Sequence, residues 1–195
     1  MVFVVVASPV FFSSRRTASP GHRGGGERAA DVVSVIVADA GGGAIRGSRG
    51  VSPEYRREGP CRDFVKAGAY KGLTPADVVA ASDITFCCVS NSHAAKEMVF
   101  GNCGVLQEIK DNKGYVEMTS IDPDTSQDIS EAIMLRGGRY LEAPVSGSKK
   151  PAEDGTLIIL AAGDRSLFND CATCFEAIGR HAFYLGKGMF QQSFA

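Results

Sequence analysis

Asp83-Ile-Thr-Phe-Cys-Cys-Val-Ser90 decides the fold. Positions 84–89 are a continuous run of apolar and β-branched residues with a charge before it and polar residues after it, as in a strand buried on both faces of a parallel sheet. Such a strand needs helices above and below it, and the flanking sequence supplies them. Upstream, Thr74-Pro75 opens a helix: a hydroxyl at the cap, Pro at the first helical position and Asp77 in the first turn. Downstream, a polar turn at 90–92 ends at Ser92, which caps a helix running to position 100 with Ala94, Ala95, Met98 and Val99 on one face.

The pattern continues outward. A Gly-bracketed segment carries Val105, Leu106 and Ile109, and Tyr115-Val-Glu-Met118 is the next strand. Asp122-Pro123-Asp124 repeats the cap, Pro and acid signature, and its helix passes through Ile129, Ala132, Ile133 and Leu135 to the double stop Gly137-Gly138. Positions 139–143 read as strand, 144–155 as a polar loop and 157–162 as strand; Asp164 then caps a helix to 178, and 181–185 is the last strand. On the N-terminal side, 61–67 reads as the end of a helix stopped by Gly68. This alternation predicts an α/β protein with a doubly wound, mostly parallel sheet and helices on both faces. In such sheets ligands sit beyond the carboxyl ends of the strands, which directs attention to 89–92, to Thr119-Ser120 and to 144–155.

Composition is consistent with one domain of this kind. The chain has 195 residues and a mass of 20.6 kDa, near the size of a single domain. Hydrophobic residues at 44% and 11 Phe exclude wholesale disorder. A net charge of −1 with no local basic patch argues against nucleic acid as a partner. No apolar run approaches the roughly 20 residues of a spanning helix, so a soluble protein away from membranes is expected.

Position 60 is a seam. Positions 1–60 hold eight Arg, no Lys, no Cys and ten Gly, with a net charge of +3, whereas 61–195 hold eight Lys, five Arg and all six Cys, with a net charge of −4. The Ser-, Gly- and Arg-rich stretch 13–26 buries almost nothing that could offset chain entropy and reads as disordered. A basic, acid-poor leader suits a chloroplast or mitochondrial transit peptide, while the absence of Lys and the Gly/Arg bias suit a nonfunctional extension or an aberrant start to the coding sequence. Positions 32–38, Val-Val-Ser-Val-Ile-Val-Ala, are strand-like and run into Gly41-Gly42-Gly43, but the dinucleotide spacing of Gly at i, i+2 and i+5 fails: from Gly41 the third place is Arg46, and from Gly42 the second is Ala44. The residues beyond cannot form the helix whose N-terminus would hold phosphate.

The loop Ala143-Pro-Val-Ser-Gly-Ser-Lys-Lys-Pro-Ala-Glu-Asp-Gly155 offers the hydroxyls of Ser146 and Ser148, close backbone approach at Gly147 and the positive charges of Lys149 and Lys150, a set suited to an anionic carboxylate and also to an ordinary solvated turn. With Asp83-Ile-Thr-Phe-Cys-Cys-Val-Ser90, Gly114-Tyr-Val-Glu-Met-Thr-Ser120 and Ala161-Ala-Gly-Asp164, it resembles the β-hydroxyacid dehydrogenase family, and within it the plant-type NADPH-dependent glyoxylate/succinic semialdehyde reductases. The likeness runs over 61–186. It implies a Rossmann-like NADP-binding domain and hydride transfer from NADPH to a small aldehyde acid such as glyoxylate or succinic semialdehyde. It implies cofactor contacts at Val89, Ser90, Asn91, Thr119 and Ser120, and at Arg56 toward the 2′-phosphate. It implies substrate contacts at Ser146, Gly147 and Ser148.

The family's catalytic lysine lies on a long helix after the last strand. Here the sequence departs at 187–195, and Lys187 follows Gly186 too closely to be that lysine, so the catalytic residue is left unassigned. The resemblance therefore implies a partial member: 1–60 atypical, 61–186 the binding domain and 187–195 a divergent tail, incomplete in its first βα unit and without the helical second domain. Little or no activity is expected of it alone. The alternatives are a noncatalytic interaction module or an unstable truncated product. Removing the first strand exposes a sheet edge, which 32–38 is patterned to fill.

Other residues favour structural roles. Cys171-Ala-Thr-Cys174 lies within a helix and has no second pair at metal-ligand spacing, so six reduced, mostly buried cysteines in a cytoplasmic protein are expected. His22, His93 and His181 have no nucleophile partner, and Asp122, Asp124 and Asp128 suit a helix start better than a metal.

Overall fold

In the computed structural model, which describes residues 72–187 and the strand segments 3–7 and 33–34, the helix start at Thr74 is a capping box: the Asp77 amide donates to Thr74 Oγ1 at 3.1 Å and the Thr74 amide donates to the Asp77 carboxylate at 2.9 Å. The helix is short, α1 (Pro75–Ala80), and its exit is held by a distant side chain. Lys113 Nζ donates to the carbonyls of Val79 and Ser82, both at 2.6 Å, satisfying groups that the helix end leaves open. Lys113→Met should cost about 1–2 kcal/mol of stability. A urea titration unchanged by the substitution would show the lysine to be dispensable.

Strands β3 (Ile84–Cys88), β4 (Gly114–Glu117) and β5 (Arg139–Glu142) are parallel neighbours, with Ile84 beside Gly114 and Gly114 beside Arg139. They are connected by α2 (Ser92–Phe100), a 3-10 turn at Val105–Gln107 and α3 (Pro123–Leu135). Alternation along the strands separates two cores. On one face Cys87, Tyr115 and Tyr140 pack with Val78, Met98, Ile129 and Ile133 of α1–α3; on the other, Phe86, Val116 and Leu141 pack with Leu167 and Phe175. Each fully buried side chain of this size contributes about 1.5–3 kcal/mol. Tyr115 stacks on Tyr140 at 6.4 Å, and Phe86 meets Phe175 edge-on at 6.1 Å.

Beyond β5 the sheet reverses. β6 (Val145–Ser146), α4 (Lys149–Glu153) and β7 (Leu157–Gly163) follow, and β7 lies antiparallel to β5 and to β6, with Leu141 opposite Gly163 and Ser146 opposite Ile158. The register is continuous through both contacts, and the Leu160 amide donates to Pro144 O at 3.1 Å between them. β5 and β6 are thus one strand, 139–146, running along β7, and the polar loop expected at 144–155 contains a strand end and a helical turn. After α5 (Arg165–Asp170) and α6 (Ala172–Ile178), β8 (Gly179–Tyr184) pairs parallel with β7. The single helix expected from 164 to 178 is broken at Cys171, whose buried side chain ends one segment and begins the next.

The place beside β3 is taken by β1 (Phe3–Ala7), antiparallel, with Phe3 opposite Cys88 and Ala7 opposite Ile84. β2 (Val33–Ser34) lies outside β1. Positions 32–38 therefore do not fill the vacancy next to β3 as their pattern suggests. The five-residue run Phe-Val-Val-Val-Ala pairs along all of β3, whereas the described residues of the later segment, Val33–Ser34, pair with β1. The predicted helix end at 61–67 and the remainder of 1–71, Arg56 and Gly41-Gly42-Gly43 included, lie outside the described residues, as do 188–195.

Candidate functional site

Three parallel strands, β3, β4 and the joined β5–β6, deliver their carboxyl ends to one edge of the sheet, and the residues named from sequence leave it together. Val89 is buried; its amide donates to Thr119 Oγ1 at 2.9 Å, so one hydroxyl ties the turn after β3 to the turn after β4. Thr119 is itself buried, and its amide donates to Glu117 Oε1 at 2.9 Å. Ala143 donates to Glu117 O at 2.7 Å, which brings the start of the Pro144 turn to the same place.

Asn91 has a structural task. Its side chain caps α2, accepting from the Ala94 amide at 2.9 Å, and Ser92, expected as the cap, is the first helical residue instead. The Ser92 hydroxyl accepts from the Asp122 amide at 3.2 Å, joining the start of α2 to that of α3. Hydrogen bonds from Ser92 and Thr125 hold the Asp122 carboxyl at about 2, as a charged cap.

Ser90, Ser120, Ser146 and Ser148 are exposed, and their hydroxyls make no hydrogen bond among the described residues. Gly147 has φ +148, and a Cβ there would lie 2.7 Å from Leu157 Cδ2, so the turn requires glycine. Lys149 and Lys150 differ from expectation. Each pairs with an acid one helical turn on, Glu153 at 3.6 Å and Asp154 at 2.6 Å, so α4 neutralises much of the charge the sequence offers for an anion. Lys187 is exposed at the end of the described residues, just beyond Gly186.

Behind this edge lies a feature that the sequence reading missed. Glu117 and Glu142 are in register on adjacent parallel strands and are both buried, as are Tyr115 and Tyr140 two residues before them. The Glu117 carboxylate accepts from the Thr119 amide and from Tyr115 OH at 3.1 Å; burial pushes its proton affinity up, opposed by these donors and by the Cys87 thiol. Glu142 accepts from Ser126 Oγ at 2.9 Å, while its Oε1 is buried without a partner among the described residues. Burial first, and then the charge on Glu117, raise the Glu142 carboxyl to about 7 against the Ser126 hydrogen bond. Glu117 is the more deeply buried of the two and has the more hydrogen-bond donors, whereas Glu142 has Ser126 alone. The sequence signal was Tyr-apolar-Glu-apolar in both strands, Tyr115-Val-Glu-Met118 and Tyr140-Leu-Glu-Ala143.

The pyrophosphate end of a dinucleotide fares differently. β1 ends at Ala7 opposite Ile84, at the amino end of β3, on the far side of the sheet from Val89. Among the described residues this edge therefore carries exposed hydroxyls, and no glycine turn follows β1 there.

Comparison with known proteins settles the family. Residues 50–186 match the model for the NAD binding domain of 6-phosphogluconate dehydrogenase. The chain belongs to this family of NAD-binding domains. This is an NAD(P)-binding domain of oxidoreductase type, with the mostly parallel Rossmann-like sheet described above. Among curated proteins, the cytokine-like nuclear factor N-PAC of Anopheles gambiae is 60% identical over 126 residues, which is 65% of this chain and 22% of that protein. Among solved structures, Psf3 in complex with NADP+ and 2-OPP matches with a TM-score of 0.64 at 22% identity, covering 68% of this chain and 47% of that one. A 3-hydroxyisobutyrate dehydrogenase from Salmonella typhimurium matches with a TM-score of 0.60 at 19% identity, over 71% of this chain and 47% of that one. The NAD-binding domain here thus spans about a fifth of the N-PAC relative and just under half of the solved chains. Among the described residues no helix is long and apolar enough to cross a membrane, and no cluster of His, Cys, Asp and Glu could hold a metal.

Proposed function

We propose that the domain binds NADP(H) with its nicotinamide end at Val89, Ser90, Asn91, Thr119 and Ser120, and grips a small aldehyde acid of the glyoxylate or succinic semialdehyde class through Ser146, Gly147 and Ser148. The observation that carries this reading is the Val89 amide to Thr119 hydroxyl bond, which fixes two turns side by side while Ser120 and Ser146 keep their hydroxyls uncommitted. Bound NADPH supplies the hydride. The chain's own residues bind and orient: Thr119 sets the spacing of the two turns, Ser120 faces the ribose, and the hydroxyls and amides around Gly147 meet the substrate carboxylate. No general acid stands among them, Lys187 included, so little or no turnover is expected of this chain alone. Arg56 completes the proposal as the partner of the 2′-phosphate, with 61–186 as the binding domain.

A second reading is favoured by the relatives' name. A protein 60% identical over this region is called a nuclear factor, which supports reading this domain as a noncatalytic, cofactor-holding module and supports the nucleus as an alternative to the cytoplasm. Fluorescence titration with NADPH tests both readings together with an assay of glyoxylate and succinic semialdehyde reduction. Saturable NADPH binding that Ser120→Ala weakens severalfold, equivalent to about 1 kcal/mol, without altering the melting temperature, supports the site. Absence of binding overturns it. Binding without turnover supports the noncatalytic module, and turnover matching a full-length reductase would refute it.

A further inference from the structure

Glu117 and Glu142 stand side by side in the register of β4 and β5, two residues short of Thr119 and Pro144, so the pair lies about 7 Å behind the turns at the carboxyl edge. Glu117 is tied to that edge directly: its carboxylate accepts from the Thr119 amide, and the Thr119 hydroxyl in turn accepts from the Val89 amide. Glu142 Oε1 is buried and has no partner among the described residues.

The groups that face the two carboxyls are uncharged. Tyr115 on β4, Tyr140 on β5 and Cys87 on β3 are buried, and burial pushes each of them up, so all three keep their protons through neutrality. From α3 the Ser126 hydroxyl reaches Glu142, while Asp122, Asp124, Asp128 and Glu131 of that helix and its cap are exposed; β7 sets Ala162 opposite Glu142. No Lys, Arg or His pairs with either acid among the described residues, and Lys149 and Lys150 of α4 are taken by Glu153 and Asp154. Negative charge on the pair is therefore met by hydrogen bonds alone, and in a poorly polarisable interior its field reaches the edge.

We infer that the Glu117–Glu142 pair distinguishes the two redox forms of the cofactor and favours the oxidised one, a preference that rests on the nicotinamide end being seated at Val89, Ser90, Asn91, Thr119 and Ser120 as proposed above. When NADPH gives up a hydride, two electrons and a proton leave its neutral dihydropyridine ring, and the pyridinium that remains carries one positive charge. The ring of NADPH meets the same field without a charge. One negative charge on the pair thus favours NADP+, and a second favours it more. The second charge appears near neutrality, since the Glu142 carboxyl is raised to about 7. By linkage, NADP+ binding releases a proton from the pair to solvent, and rising pH tightens NADP+ relative to NADPH. Below neutrality the oxidised cofactor leaves more readily; above it, the domain retains it.

Calorimetric titration of the full chain with NADP+ and with NADPH, at about pH 6 and about pH 8, tests the inference. The readout is the ratio of the two affinities, because the 2′-phosphate titrates in both forms and cancels. The ratio should move toward NADP+ by about fivefold between the two pH values, which corresponds to about a tenfold change in the pair's proton affinity on binding NADP+. Glu142→Gln should remove that movement while both forms still bind. A role confined to holding the strands together would move both affinities alike and leave the ratio constant. Binding of both forms with a ratio indifferent to pH overturns the inference and leaves the site standing, as does a movement that survives Glu142→Gln. Failure of both forms to bind at either pH overturns the site and the inference with it. If Glu142→Gln does not fold, proton counting on the unaltered chain decides. Titrations at about pH 7 in two buffers of different ionisation heat should show more proton released with NADP+ than with NADPH, and equal release refutes the pair's role.

Discussion

Between pH 5 and pH 8 the domain should lose about 2 kcal/mol of stability, and Glu142→Gln should abolish most of that loss. The unfolded chain releases the Glu142 proton near 4.5, the ordinary value, while the folded chain holds it to about 7. A group whose affinity for its proton rises on folding contributes stability that is complete below the unfolded value. That contribution declines as pH rises and is gone once pH passes the folded value. The window is therefore about 4.5 to 7, and Glu117, also pushed up by burial, acts in the same direction. The loss arises because the ionised Glu142 is a buried charge with only Ser126 donating to it, and secondarily because it is a second negative charge beside Glu117. Gln keeps the acceptor for Ser126 and carries no titrating proton. Urea titrations at several pH values give the slope; if Glu142→Gln leaves it intact, the pair does not titrate as described.

Gly163→Ala should cost the domain about 3–4 kcal/mol. Gly163 has φ +128, and a Cβ there would lie 2.7 Å from Tyr140 O and 3.2 Å from Leu141 Cα. Both are backbone atoms of the strand it pairs with, so relief requires β5 and β7 to separate. That separation would also break the bond from the Asp164 amide to Tyr140 O at 3.0 Å and disturb the strand that carries Ser146. Gly186 is the control: it has φ +119 with nothing within 4 Å of the added carbon, so Gly186→Ala isolates conformational strain at about 1–2 kcal/mol. Equal losses at the two positions would show that the close approach at Gly163 carries no cost of its own.

The parts of this fold legible in the sequence are those decided by neighbouring residues. Thr74, Asp122 and Asp164 cap the helices their sequences announce, because a side chain reaching an amide three residues on needs no distant partner. The strand at 84–88 was legible as an unbroken apolar run suited to burial on both faces, and those at 114–117 and 139–142 from their place in the alternation between helix stops and the next turns. At Asn91-Ser92 two adjacent residues could both cap, and hydrogen-bond geometry chose Asn91. Cys171 breaks a helix that local pattern would continue, since its burial with Leu167 and Phe175 is a tertiary event. The short strand and helical turn within 144–155 depend on β7 lying alongside, and the place of Phe3–Ala7 depends on competition with 32–38, which neither segment reveals alone.

The candidate site divides in the same way. Its hydroxyls and its glycine stood in view in the loop sequences. The bond from Val89 to Thr119 joins residues 30 positions apart and follows from the parallel register alone. The Glu117–Glu142 pair is visible in sequence only as two matching tetrads, and becomes meaningful once β4 and β5 are neighbours.

The reversed first strand bears on the order in which the molecule assembles. β3, β4 and β5 find one another across single helical connections, whereas joining Ala7 to Ile84 closes a loop from position 7 to position 84 and recovers that entropy only when the whole segment has docked. The centre of the sheet is therefore built before its amino-terminal flank arrives. Until then, the side of β3 that β1 will occupy stays open to solvent, and newly made chains are most prone to mispair through it.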